Sequence, residues 1–232
     1  MFNHGGNLKI KDVKLSYPLP DRKRLTVLDI DEFAVNSGSA VCIMGPSGSG
    51  KTSFLYALAG IEEPQKGMIQ WGDVRINVLH RGDRDRWRQK NIGFVFQDFH
   101  LIPYLSPLEN VLIPVYFRHL KTTPPLKDHA RQLLKRVGLE GCSISVEKLS
   151  RGEMQRVAIA RALIMSPPVI LADEPTGSLD RKTADEVMDL LLRVSRDTGI
   201  TLIVVAHDPA VIKRFGPIYK LHMAKLKPVM EA

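Results

Sequence analysis

The run Gly45-Pro46-Ser47-Gly48-Ser49-Gly50-Lys51-Thr52 has the residue types and spacing of a phosphate cradle, G-x-x-x-x-G-K-[ST]. Its glycines let backbone N–H groups converge on phosphate oxygens, and a helix starting at its end aims its positive pole at the same anion. Lys51 is placed to reach the β- and γ-phosphates of a nucleotide, and the Thr52 hydroxyl to ligate Mg²⁺. Ser53 completes the phosphate-binding set. An apolar run at 40–44 before the loop and a helical pattern at 52–59 after it supply the context that separates a nucleotide site from a chance glycine turn.

Two further constellations carry chemistry. Val169-Ile170-Leu171-Ala172-Asp173-Glu174-Pro175 is an apolar strand that delivers two consecutive acids to its end, the edge of an open α/β sheet where ligands bind. Asp173 is the candidate for holding Mg²⁺ through water. Glu174 is the candidate for orienting or deprotonating an attacking water. Read alone, the same residues make an ordinary solvated acidic turn; beside a phosphate loop the functional reading gains weight. Leu149-Ser150-Arg151-Gly152-Glu153-Met154-Gln155-Arg156 opens a helix, and Ser150 with Glu153 forms the S-x-x-E capping box. The bland reading is a well-capped helix. The functional one uses Gly152 for close backbone approach and Ser150 with nearby amides as anion donors, a second phosphate-binding helix end.

These residues need a scaffold. Leu8, Ile10, Val13, Leu15 and Tyr17 read as a half-exposed strand, followed by a proline-rich turn at 18–24 and a second strand at 25–35. Residues 67–76 read as one strand carrying Trp71, 80–90 as a solvated loop or helix, and 92–96 as an apolar strand broken by Gln97. From 98 to 165 the pattern is mostly helical, with proline joints. Buried strands are expected at 169–172 and 200–206. Between them Val187, Leu190, Leu191 and Val194 sit at helical spacing, and Gly199 is placed to end that helix. Strands alternating with helices argue for a parallel α/β core.

The 232 residues suit one well-buried domain with a lobe inserted in it. At 44% hydrophobic and 25% charged the composition is that of an ordinary globular protein, and the net charge of +8 favours an anionic partner without choosing one. Cys42 and Cys142 form no C-x-x-C pair, so neither zinc nor a disulfide framework is expected. Residues 1–6 lack the apolar core of a signal peptide, and the aliphatic runs are too short to span a bilayer.

With these motifs in order, the chain resembles an ABC-transporter nucleotide-binding subunit over essentially its whole length. The resemblance implies an ABC-type P-loop NTPase, α/β, with a mostly parallel core sheet, an antiparallel β subdomain and an inserted α-helical subdomain. It implies one nucleotide-binding domain, with residues 1–97 and 166–232 as catalytic core and 98–165 as helical subdomain. It also implies ATP hydrolysis, with two ATP held between two copies of the subunit, each gripped by one copy's phosphate loop and the other copy's Ser150, Gly152 and Glu153. Further family landmarks match Tyr17 (stacking on adenine), Gln97 (linking the Mg²⁺ site to the helical lobe), Ser178-Leu179-Asp180 (crossing the dimer interface) and His207 (contacting the γ-phosphate). Arg151 and Glu153 depart from the commonest signature, Leu-Ser-Gly-Gly-Gln, and Arg151 is expected to point away from the nucleotide. The stretch from Phe96 to Pro114 resembles the lipoprotein-release, macrolide-efflux and cell-division group. That implies a membrane permease gripped near Asp98 to Pro114, a place on the cytoplasmic face of the inner membrane, and export or extraction. A cell-division-like regulator without transport and a nucleic-acid-associated ATPase are the alternatives, and no direct nucleic-acid contact is expected.

Overall fold

A computed structural model describes residues 6–20, 23–117 and 122–229. Residues 1–5, on which the reading of the N-terminus rests, and residues 21–22 of the proline-rich turn lie outside the described part. In chain order the elements are β1 (Leu8–Pro18), β2 (Arg24–Val35), β3 (Ala40–Met44), α1 (Lys51–Leu58), β4 (Lys66–Trp71), β5 (Val74–Arg75), α2 (Arg81–Asn91) and β6 (Ile92–Val95). They continue as α3 (Pro107–Phe117), α4 (Pro124–Arg136), α5 (Arg151–Leu163), β7 (Val169–Asp173), α6 (Arg181–Thr198), β8 (Thr201–Ala206), α7 (Pro209–Ile212), β9 (Ile218–His222) and β10 (Lys225–Pro228).

The strands form two sheets, ordered β2-β1-β4-β5 and β10-β9-β3-β8-β7-β6. The first is antiparallel. In the second, β9, β3, β8, β7 and β6 run parallel, and only β10 reverses. Its central strands β3, β7 and β8 are apolar at nearly every position because both faces are covered. Alternation splits them cleanly. Val41, Ile43, Leu171, Ile203 and Val205 face α1 and the antiparallel sheet, whereas Cys42, Ile170, Ala172, Leu202 and Val204 face the core built by α3–α6. Among the described residues no helix is long and apolar enough to cross a membrane.

Several local readings change. The strand expected over 67–76 is cut at a Gly72-Asp73 turn, where Gly72 takes a φ of +56°. In β1 the apolar spacing stretches from two to three between Ile10 and Val13 because Asp12 sits at φ +51°, a bulge that restores the inward face at Val13. Of the loop or helix expected over 80–90, the helix is what forms, at 81–91, held by Arg84, which bonds Glu63 at 2.8 Å, and by Arg88, which bonds the Gly60 carbonyl at 3.2 Å. The hairpin β9–β10 had no counterpart in the sequence reading.

Candidate functional site

Register brings the chemistry together. Met44 pairs with Ala206, and Asp173 with Val205, so β3, β8 and β7 end side by side. Val95 pairs with Ala172, so Gln97 follows the adjacent end of β6. Four parallel strands therefore deliver the 45–50 loop, His207, Asp173 with Glu174, and Gln97 to one edge.

The loop between β3 and α1 is shaped by neighbours as well as by what it could bind. A Cβ on Gly45 would lie 2.4 Å from the Leu221 carbonyl oxygen of β9 and 2.7 Å from Ser49 Oγ. Gly50, at φ +94°, has the Val27 carbonyl oxygen 2.8 Å from where its Cβ would be. By contrast Gly48 faces open space, beside exposed Pro46 and Ser47. Ser49 Oγ is buried and has no hydrogen-bond partner in the protein. Gly50 caps α1 in the left-handed region without a side-chain cap, leaving the helix's first N–H groups free for an anion.

Lys51 is only 6% exposed. Its ammonium donates to the Gly45 and Pro46 carbonyls, both at 3.1 Å, and lies 3.3 Å from Glu174 Oε1. His207 Nδ1 donates to Glu174 Oε2 at 2.8 Å. Glu174 thus stands between a cation and an imidazole. Its backbone sits at φ +42°, held by its N–H to the Val205 carbonyl and by Gly177 N–H to its own carbonyl, both at 3.0 Å. A non-glycine residue in this region is strained, and such strain gathers at functional positions. Burial pushes the Asp173 carboxyl up, Glu174 adding to that, while the Thr52 hydroxyl bond and Lys51 oppose it. The Thr52 hydroxyl thus faces the Asp173 carboxyl. Hydroxyl plus carboxylate, with Gln97 following the adjacent strand end, is an oxygen donor set suited to Mg²⁺, which keeps waters and takes its other ligands from phosphates.

Other predicted residues lie around this centre. Tyr17, half-buried at the end of β1, bonds through its hydroxyl to Glu62 and, at 3.0 Å, to Ser53 Oγ on α1. Gln97 is exposed. Ser150 is the N-cap of α5: Glu153 N–H bonds Ser150 Oγ at 3.3 Å and Ser150 N–H bonds Glu153 Oε2 at 2.8 Å. The Ser150 side chain and backbone bonds hold the Glu153 carboxyl below the usual glutamate range. Gly152 has a reason inside the chain: a Cβ there would meet Thr183 Cγ2 of α6 at 2.3 Å. The bare capped-helix reading gave no cause for a glycine; α6 packing does. Asp180 caps α6 by accepting from Thr183 N–H at 3.1 Å. Arg151 places its guanidinium 5.9 Å from the Phe99 ring centroid.

The sequence reading missed residues that fix the segment after Gln97. Phe99 and His100 both take positive φ, 58° and 47°. Arg161 of α5 donates to both their carbonyls, at 2.6 Å to Phe99, and burial pulls its pKa down to about 10. Fully buried Asn110 accepts from Ile102 N–H at 2.8 Å and donates to the Ile102 carbonyl at 3.1 Å. Beside this segment a cleft of about 520 Å³ is lined by Ile61, Phe94, Phe96, Ile102, Pro114 and Phe117 among others.

Residues 28–177 match the sequence family described as ABC transporter. The lipoprotein-releasing system ATP-binding protein LolD of Idiomarina loihiensis is 41% identical over 202 residues, 87% of this chain and 88% of that protein. The uncharacterized ABC transporter ATP-binding protein MJ0796 of Methanocaldococcus jannaschii is 38% identical over 213 residues, 90% of each. A solved dimeric structure of MJ0796, an ABC transporter cassette, superposes with a TM-score of 0.86 at 35% identity, covering 97% of this chain and 100% of that one. A second, a dimeric post-hydrolysis state bound to ADP and Pi, gives 0.84 with the same identity and coverage.

Proposed function

The chain belongs to the ABC transporter family, and from that premise we propose that it is the ATP-hydrolysing subunit of a membrane transport complex, working as a pair closed around two ATP. That it is an ABC-type ATPase rests on the family match and on the solved relative holding ADP and Pi. The observation that carries the mechanism is the chain of contacts Lys51–Glu174–His207 at the edge where the phosphate loop opens.

In the reaction a water oxygen attacks the γ-phosphorus, the bond to the β–γ bridging oxygen breaks, and ADP and phosphate leave. Glu174 orients the water and takes its proton. His207, held on Glu174 in the structure, contacts the γ-phosphate. Lys51 and the 45–50 amides hold the β- and γ-oxygens, with Ser53 in the same turn. Thr52, Asp173 and Gln97 hold Mg²⁺, which supplies charge neutralisation to the phosphates when bound. The Tyr17 ring takes the adenine. Ser150, Gly152 and Glu153 of the second copy close over the γ-phosphate, and Asp180 faces that interface. Residues 1–97 and 166–232 are the catalytic core, and 98–165 the helical subdomain.

The apolar cleft beside the 98–114 segment receives a short amphipathic helix of a membrane-embedded permease, which places the subunit peripherally at the inner membrane's cytoplasmic face. Ile61 and Ile102 are each 45% exposed there and Phe117 73%, which is apolar surface that a partner would cover. Relatives named for lipoprotein release favour extraction or export. ATP closes the pair because it binds the closed arrangement better, and hydrolysis lets it reopen. The experiment is light scattering of Glu174→Gln with Mg·ATP, with and without the co-purified membrane partner. A dimer is expected that Ser150→Arg abolishes. A strict monomer under all these conditions defeats the two-sided grip.

A further inference from the structure

A phenol carries one proton, and it lies in the plane of the ring. Tyr17 gives that proton to the Glu62 carboxylate, which can only accept, so the Ser53 hydroxyl at 3.0 Å must donate to the Tyr17 oxygen. Two partners in different directions fix where the hydroxyl sits and constrain the ring plane. The other end of the side chain is fixed by β1, where Tyr17 pairs with Leu25 of β2. Both partners belong to the α1 unit. Ser53 lies in its first turn, directly after Thr52. Glu62 lies just past its C-terminus, its N–H bonded to the Tyr56 carbonyl at 3.2 Å. Burial, and then Glu62, push the Tyr17 phenol above its usual value, in keeping with a hydroxyl kept protonated beside a carboxylate.

We propose that Glu62 is a positioning residue for nucleotide selection: by holding the Tyr17 hydroxyl it sets the ring against which the purine base stacks. This rests on Tyr17 receiving the base, as proposed above. Glu62 does not touch the nucleotide. It removes ring positions that Tyr17 would otherwise sample, so the ordering is complete before ligand arrives, and it ties the base platform to the helix that carries the phosphate loop.

The test uses the full chain and measures dissociation constants for Mg·ATP and for Mg·tripolyphosphate, with KM and kcat for ATP. Glu62→Ala is expected to weaken ATP binding and raise KM about three- to tenfold, the effect of leaving one interfacial side chain to be ordered on binding. Tripolyphosphate affinity and kcat stay within about twofold. Glu62→Gln keeps an acceptor and stays near the parent. Tyr17→Phe reproduces Glu62→Ala, and the double variant loses no more than either. Tyr17→Ala loses most. If Tyr17→Ala leaves the ratio of ATP to tripolyphosphate affinity unchanged, base stacking on Tyr17 is wrong and the inference goes with it. If Tyr17→Ala shifts that ratio but Glu62→Ala and Tyr17→Phe do not, stacking stands and the role of Glu62 is refuted. Equal loss of both ligands in Glu62→Ala would mean that Glu62 supports the loop rather than the ring, which also overturns it. Should Glu62→Ala fail to fold, Tyr17→Phe breaks the same bond from its other side and decides the matter.

Discussion

Gly152→Ala tests whether the signature glycine answers to α6 as well as to any phosphate. In a helix interior alanine is favoured over glycine by about 1 kcal/mol, so an unobstructed site would be stabilised. Here the new methyl lands 2.3 Å from Thr183 Cγ2, with Thr183 Cβ at 3.7 Å and its Oγ1 at 3.9 Å. That overlap concerns one methyl of a β-branched side chain with few helical rotamers. Overpacking of this kind costs about 1–3 kcal/mol, so after the propensity gain the variant is expected to lose up to about 2 kcal/mol. Thr183→Ser removes the offending methyl and keeps the hydroxyl. In that background Gly152→Ala should be neutral or stabilising by up to about 1 kcal/mol, a reversal of sign. Urea unfolding without nucleotide, fitted with a common slope, reads all four corners of the cycle. If Gly152→Ala is equally harmful with serine at 183, the clash is not the cause and the packing account fails. If the double variant is stable but does not dimerise on ATP, the glycine also serves the neighbouring copy's phosphate.

Other outcomes follow from the same geometry. Glu174→Gln should keep ATP affinity and lower turnover about 10²–10⁴-fold in a phosphate-release assay; normal turnover would mean the wrong carboxylate is assigned. Ser150→Ala should cost about 1 kcal/mol through the lost cap, measured by thermal unfolding of nucleotide-free protein. Because Ser150 holds the folded Glu153 carboxyl below its ordinary value, the stability it brings is present above the unfolded glutamate range and fades as pH falls through the folded value. The stability difference between parent and Glu153→Gln should therefore move against the parent on acidification, and a pH-independent difference would contradict this. Arg161→Ala leaves the Phe99 and His100 carbonyls without their charged donor and should lower stability by about 1.5–3 kcal/mol, with hydrogen exchange rising first over 99–102.

What could be read from the sequence was what the chain keeps local. The phosphate loop, the acid pair at the end of β7 and the capped start of α5 each lie within eight residues, so residue types and spacing suffice to place them. The alternation of strands and helices likewise reveals the parallel sheet. What stayed hidden depends on contacts across the chain. Gly45 needs room for Leu221, and Gly152 for Thr183. Glu62 meets Tyr17 only because β1 and the end of α1 converge. Asn110 looks like an ordinary polar residue in a helix until its side chain is seen closing the 102–106 turn. The short β9–β10 hairpin carries a charge at nearly every second position, which masks its inward Leu221 and Tyr219.

The resting state of Lys51 has a consequence for which molecules the site can admit. Two loop carbonyls and the Glu174 carboxylate already surround its ammonium, so the cation enters no binding event in need of a neighbour. A newcomer has to offer at least as much negative charge as it displaces. Adenosine or the free base brings none and leaves the lysine where it is, whereas a di- or triphosphate draws it off Glu174. On the proposed assignment, the carboxylate that handles water is released only when a polyphosphate occupies the loop.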